Sequence, residues 1–163
     1  MNATLMSIAI ARHFDTRLNI IVPNVSWGIG LHECDVLVIT KAGYAIEVEI
    51  KTSKADIKAD LKKRHSHENK KLRSLIFAIP KNLEHCSDLI PERAGIITIE
   101  RLETQRPTRD NVIGPNPSRL YCSILRKAKI NTHASKLSDI DILHVAQLGV
   151  MRMWNMKEKL MLR

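Results

Sequence analysis

Two glutamates and a lysine alternate with apolar residues along one short segment of this 163-residue chain. In residues 44–51 the even-numbered positions are aromatic or aliphatic, whereas Glu47, Glu49 and Lys51 occupy odd-numbered positions. Successive side chains of a β-strand point to opposite faces, so these three charged residues should share one face of a predicted strand. Carboxylates beside a lysine are a combination that can hold a cation and act on a phosphate.

A second apolar segment, residues 34–40, precedes this strand and brings another acid to it. The intervening Lys-Ala-Gly has the composition of a turn, so the two segments are predicted to form a hairpin. A three-residue connection places Asp35 opposite Glu49 on the same face, and Glu33 opposite Lys51. Directly opposed carboxylates destabilise a sheet, and a cation between them would remove this repulsion. The register therefore favours a divalent ion held by two carboxylates, a backbone carbonyl and water, as is usual for Mg²⁺.

The same acids allow a simpler interpretation. On a strand that faces solvent, Glu33 would pair with Lys51 and the other acids would be hydrated, with no bound ion. The alternation of residue types is equally compatible with a cation site and with a solvent-facing strand. The basic segment that follows the strand favours the cation site.

Positive charge is concentrated in two parts of the chain, whose formal net charge is +9. There are nine basic and three acidic residues in positions 51–73, and seven basic and two acidic residues in positions 101–129. This uneven distribution favours a polyanion partner over general solubilisation. Aromatic residues make up 4% of the chain, which argues against binding single strands mainly by base stacking. The phosphate backbone of DNA is the better-supported target.

A basic helix is predicted over residues 53–64, where Ser53 and Asp56 form a capping-box pattern. It has few large apolar residues, so most of its surface should be exposed to solvent. It is either a solvated charged helix or a helix that contacts phosphate. Two arginines in the loop predicted over residues 103–118 could also clamp DNA. The candidate DNA-binding residues are Lys54, Lys58, Lys62, Lys63, Arg106 and Arg109.

Hydrophobic periodicity and turn residues predict the remaining elements. They are a helix over residues 3–15, strands over 18–22, 75–79, 95–99 and 120–125, and a long final helix that begins at Ser138. Pro23 is expected to end the first of these strands. The order predicts an α/β domain in which a central mixed sheet is flanked by helices. Residues 1–130 would form this domain, and residues 131–163 a helical extension that packs on it or on a partner.

The hairpin and the helix after it resemble the core of the PD-(D/E)xK nuclease superfamily, whose fold is restriction-endonuclease-like. The resemblance rests on Asp35, the hairpin turn and the tripeptide Glu49-Ile50-Lys51. The longer string over residues 47–62, followed by the apolar Leu-Ile-Phe-Ala-Ile-Pro of residues 75–80, is similar to the MmcB-like DNA-repair branch and to related phage and bacterial proteins.

This resemblance implies a set of roles for the hairpin residues. Asp35 and Glu49 would bind the metal, the carbonyl of Ile50 would complete the protein ligands, and Glu33 is an additional candidate ligand. Lys51 would be the catalytic lysine. The implied protein is a Mg²⁺-dependent DNA endonuclease, with Mn²⁺ as a substitute ion, that acts in DNA repair, recombination or phage DNA processing.

Two departures from the family pattern bear on this expectation. Cys34 stands before Asp35 where the family has proline, and residues 1–14 contain no acid although many members supply one from the first helix. Asp15 or Glu33 could replace that acid. The missing acid favours an alternative, a catalytically silent DNA-binding module of the same fold.

Other features bear on location and assembly. No apolar run approaches the roughly 18 residues of a membrane helix, so no membrane partner is expected. The three cysteines match no zinc spacing, which is typical of reduced thiols in a cytoplasmic protein. The final helix carries an apolar stripe from Ile142 to Leu160. This stripe is either part of the core or a face through which a homo-oligomer forms.

Overall fold

A mixed β-sheet forms the centre of the computed structural model, which describes residues 1–26, 29–60, 69–101 and 120–162. Within those residues six strands lie side by side in chain order. β3 is parallel to β4 and β4 to β5, whereas the other neighbours are antiparallel. The strands are β1 (Ile20–Val25), β2 (Cys34–Ile39), β3 (Ala45–Ile50), β4 (Leu72–Pro80), β5 (Gly95–Arg101) and β6 (Leu120–Arg126).

Helices cover both faces of this sheet. They are α1 (Ala3–His13), α2 (Lys54–Asp60), a 3₁₀ helix (Lys81–Leu89) and α3 (Asp139–Met161). On one face, Met6 and Ile10 of α1 pack in a buried cluster with Val36 and Val48. The opposite face has two buried clusters, one under α3 and one beside α2 and the 3₁₀ helix. The prediction of an α/β fold with a central mixed sheet between helices is confirmed.

The charged residues of β3 lie on the face that α2 and α3 cover. Ala45 belongs to the cluster under α3, and Lys51 lies 5.7 Å from the ring centroid of Phe77 in the cluster beside α2. Glu47 and Glu49 are 0% and 1% exposed. The interpretation of a solvent-facing strand with hydrated acids is therefore wrong. It fails because helices pack on both sides of β3, which alternation along one strand does not reveal.

The predicted register of the hairpin is confirmed. Val36 pairs with Val48 and Leu37 with Glu47. Extended by one residue, the same register places Asp35 opposite Glu49. In the turn, Gly43 has a φ of +83°, a conformation that glycine adopts without steric cost. Because this register is correct, Glu47 and Glu49 lie on the predicted face of β3.

Several element boundaries differ from the prediction. Pro23 does not end β1, which continues to Val25, because β1 is an edge strand where a missing N–H costs no ladder bond. β4 begins at Leu72, earlier than the apolar run of residues 75–79 suggests. The predicted part of the basic helix beyond residue 60, and the loop over residues 103–118, lie outside the described residues.

The long final helix, α3, begins at the predicted cap. Ser138 and Asp141 form a capping box, and Val145 and Leu148 are buried against the sheet. Toward the other end Met156 is 61% exposed, so the predicted stripe packs only over the first half of the helix. A homo-oligomer through α3 stays a prediction. Among the described residues no helix is long and apolar enough to cross a membrane.

Candidate active site

Asp35 is positioned by the backbone of the neighbouring strand. Its Oδ2 accepts a hydrogen bond of 2.7 Å from the amide of Ile50. The bond holds this half-buried carboxylate at the end of β3, where the predicted register places it across from Glu49. The hairpin alone therefore brings two acids of the resemblance together.

Lys51 is buried between two carboxylates. Its Nζ lies 2.6 Å from Oε2 of Glu49 and 2.8 Å from Oδ1 of Asp60, and the residue is 4% exposed. Burial by itself lowers the pKa of Lys51. The hydrogen bonds to Asp60 and Glu49 outweigh that effect, so the pKa is raised above its ordinary value. Lys51 is therefore a fixed cation at neutral pH.

A cavity of about 380 Å³ lies at this end of β3. Burial raises the pKa of the nearby Cys34 thiol, and the charges of Glu47, Glu49 and Asp35 raise it further. This thiol therefore experiences a negative potential from the acids of the hairpin. Around the cavity the described lining includes more carboxylates than cations. The charged lining residues are Asp35, Glu49, Lys51, Asp56 and Asp60.

The candidate ligands for a hard cation are the oxygen atoms at the end of the hairpin. Within the described part of the chain, no three acidic, histidine or cysteine side chains are grouped closely enough to hold an ion. An ion in this cavity would therefore depend on Asp35, Glu49, the carbonyl of Ile50 and water. Mg²⁺ suits such a set because it prefers oxygen ligands and usually keeps several waters.

The two proposed replacements for the first-helix acid are not at the cavity. Glu33 is exposed and is not among the described lining residues. Asp15 follows the far end of α1 and binds Arg17 at 2.8 Å. The residue of α1 that borders the cavity is Ala3, from the first turn of the helix. The suggestion that Asp15 or Glu33 supplies the missing acid is thus not supported by their positions.

The candidate DNA-binding residues divide into two groups. Lys54 and Lys58 are exposed on α2, and the same helix lines the cavity through Asp56 and Asp60. These two lysines therefore lie on an element that borders the candidate site. The other four, Lys62, Lys63, Arg106 and Arg109, lie outside the described residues.

Two residues near the site were missed by sequence reasoning. The first is Asp60, which neither interpretation of the basic helix singles out, although its spacing from the apolar Ile57 places both on one helix face. The second is His32, which lies just before β2. Its Nε2 lies 2.7 Å from Oε1 of Glu47, and both side chains are largely buried. No signal along the chain pairs His32 with Glu47, because the contact depends on where the loop before β2 lies.

Comparison with known proteins gives a fold but no family. No protein-family model matches the chain, and no curated protein is significantly similar to it. The chain is similar to a solved structure, the "SPO1766 protein of unknown function" from Silicibacter pomeroyi, with a TM-score of 0.63 and 18% identity. The match covers 98% of this chain and 91% of that chain. The chain therefore shares an α/β fold with this protein over nearly its whole length.

Proposed function

We propose that this chain is a metal-dependent DNA endonuclease that hydrolyses phosphodiester bonds. The observation that carries the proposal is the grouping of Asp35, Glu49 and Lys51 around one cavity at the end of the β2–β3 hairpin. These are the three residues that the PD-(D/E)xK resemblance singles out. DNA repair, recombination or phage DNA processing is the setting that this resemblance implies.

The roles of the side chains follow from their chemistry. Asp35, Glu49 and the carbonyl of Ile50 would hold Mg²⁺ or Mn²⁺. When bound, the ion supplies a water of lowered pKa and polarises a phosphoryl oxygen. Lys51, kept protonated by its two carboxylate partners, would orient the attacking water and stabilise negative charge that develops on the phosphate. Asp60 would keep the Lys51 amine at the edge of the cavity.

The charge of the protein supports DNA as the substrate. The formal net charge is +9, although the cavity itself is lined mostly by acids. Exposed Lys54 and Lys58 lie on the helix that borders the cavity and could contact phosphates on either side of a scissile bond. Such contacts position the backbone without reading the sequence of bases.

A second candidate function is a catalytically silent DNA-binding module. It is favoured by Ala3, which borders the cavity where many nucleases of the superfamily place an acid from the first helix. In this case the basic residues would bind DNA, and the ion pairs of Lys51 would serve the stability of the fold.

Nicking of supercoiled plasmid in Mg²⁺ or Mn²⁺ tests the proposal. Wild type, Glu49→Gln and Lys51→Ala are compared with Glu47→Gln, a control on the same strand face that is equally buried but does not line the cavity. We expect wild type and Glu47→Gln to nick DNA, and the other two variants to lose at least 100-fold in rate. Circular dichroism checks that each variant is folded.

Two results would contradict the proposal. Metal-dependent nicking that survives both Glu49→Gln and Lys51→Ala would place the active site elsewhere. Wild type that binds DNA but neither nicks it nor binds Mg²⁺ or Mn²⁺ in calorimetry up to millimolar concentration would be the silent binding module.

A further inference from the structure

A second cavity, of about 480 Å³, lies at the opposite end of β4 from the acidic one. We call it the basic cleft. Three separate segments contribute its cations, and among the described residues that line it none is acidic. Two asparagine side chains add amide groups. The polar residues that matter here are Lys70, Arg73, Arg93, Lys129, Asn69 and Asn131.

A bulge at the start of β4 presents Arg73 to the cleft. Ala45 pairs with Leu72 and the next residue, Ile46, pairs with Ser74, so Arg73 is an extra residue in the ladder. Bulges change the direction of a side chain relative to a regular strand. The guanidinium of Arg73 lies 4.3 Å from the ring centroid of Tyr44, a cation–π contact that restricts its position.

Hydrogen bonds join the segment at Asn131 to this bulge and the segment at Arg93 to that of Lys129. The amide of Asn131 donates to the carbonyl of Arg73 at 2.8 Å, and its side chain donates to the carbonyl of Leu72 at 3.2 Å. The amide of Lys129 donates to the carbonyl of Arg93 at 2.9 Å. The cations therefore converge because of specific main-chain contacts between distant parts of the chain.

Lys129 is only weakly compensated by an acid. Glu92 lies 3.1 Å from Lys129, but both side chains are mostly exposed, so water screens this pair. Positive charge gathered in a concave surface focuses the field and attracts anions. Arginine suits phosphate because its planar guanidinium can donate two parallel hydrogen bonds.

We propose that the basic cleft binds backbone phosphates of a nucleic acid, at a contact separate from the acidic cavity. The choice of ligand rests on the proposed function, in which DNA is the substrate. The cleft also joins parts of the two basic segments of the sequence, since Lys70 and Arg73 come from one and Lys129 from the other.

The spacing of the two sites is compatible with one duplex. The amide of Lys51 bonds to the carbonyl of Ala78, which lies five residues beyond Arg73 along β4. That separation is about 17 Å at the rise of a parallel strand. It corresponds to about five base pairs of B-DNA at 3.4 Å each. A duplex that contacts both sites would therefore span about five base pairs between them.

Binding of a 20-base-pair duplex, measured by fluorescence anisotropy in EDTA over a range of salt concentrations, tests the cleft without requiring cleavage. The test variant is Arg73→Ala/Lys129→Ala. The control is Arg12→Ala/Lys157→Ala, which removes the same charge from exposed positions outside the cleft. We expect the test variant to bind at least tenfold more weakly. Its slope of log K against log[salt] should be shallower by about 2, because each lost phosphate contact removes about 0.9. The control should keep the wild-type slope.

Three outcomes decide the proposal. Equal affinity and slope for wild type and the test variant would overturn it, and plasmid nicking by that variant would show that the proposed function survives. If inorganic phosphate, titrated calorimetrically, bound wild type but not the test variant while duplex binding stayed equal, the cleft would be a site for free phosphate. Weaker duplex binding and a shallower salt slope in the test variant, with neither change in the control, would support the cleft even if no protein preparation nicked DNA.

Discussion

The acidic cavity and the basic cleft lie at opposite ends of β4 and use charge in opposite ways. In the cavity, Lys51 is buried and binds two carboxylates, those of Glu49 and Asp60. In the cleft, cations from three segments converge, and Lys129 and Glu92, which lie 3.1 Å apart, both have mostly exposed side chains. Buried, mutually bound charges have a fixed geometry, which the proposed chemistry on a phosphate would require. The positions of exposed charges of one sign are fixed only when a ligand of opposite charge binds them.

This comparison predicts where substitutions act. Removing one member of a buried ion pair leaves an uncompensated charge in the interior, so stability should fall steeply. Removing an exposed cation should change binding and leave stability almost unaffected. The following predictions test that separation, beginning with the largest effect.

Lys51→Ala should lower the free energy of unfolding by about 3–5 kcal/mol, because Glu49 and Asp60 would stay buried without their shared cation. Urea denaturation at pH 7 measures the change. Lys71→Ala is the matched control, since Lys71 also binds an acid, Asp141 at 2.9 Å, but its side chain is about one-third exposed. We expect the control to lose about 1 kcal/mol or less. Equal losses of unfolding free energy in the two variants would mean that the buried ion pairs contribute no more to stability than the partly exposed one.

Mg²⁺ should stabilise the folded protein through the cavity. At a concentration one hundred times its dissociation constant, an ion that binds only the folded state adds about 2.7 kcal/mol. Thermal unfolding with and without Mg²⁺ measures this effect. Glu49→Gln should abolish the stabilisation and Glu47→Gln should preserve it, because Glu47 binds His32 and does not line the cavity. The same increase in all three proteins would indicate an ion bound elsewhere.

The contribution of Lys51 should disappear at alkaline pH. The pKa of Lys51 is raised in the folded protein, so its stabilising effect is complete below the ordinary value of 10.5 and is lost as pH rises through the folded value. The difference in unfolding free energy between wild type and Lys51→Ala should therefore be constant from pH 7 to 10 and narrow above that range. Urea midpoints at each pH measure it. A difference that grows above pH 10.5 would mean that Lys51 is not held as a cation.

The cations of the cleft should matter least for stability. Lys129→Ala is expected to change the free energy of unfolding by about 0.5 kcal/mol or less, as is usual at exposed positions. Arg73→Ala should cost about 0.5–1 kcal/mol, because it also removes the contact with Tyr44. Both values come from urea denaturation at pH 7. A loss above about 2 kcal/mol in Lys129→Ala would indicate that the cleft cations support the fold.

Features that depend on neighbouring residues were predictable from the sequence. The hairpin of β2 and β3 and its register follow from alternation and a glycine turn, and they place Asp35 beside Glu49. The cap of α3 at Ser138 follows from a local pattern as well. These features are correct because periodicity and turn chemistry act over a few residues.

Features that depend on packing between distant segments were decided by the tertiary structure. Burial of Glu47 and Glu49 requires helices on both faces of the sheet, and the partnership of Lys51 with Asp60 requires α2 to lie across the end of β3. The basic cleft forms because hydrogen bonds of Asn131 and Lys129 bring three segments together. The order of residues along the chain determined which charged groups were present and which faces of the strands they share. Their burial and partners depend on contacts between residues far apart in sequence, which local patterns do not encode.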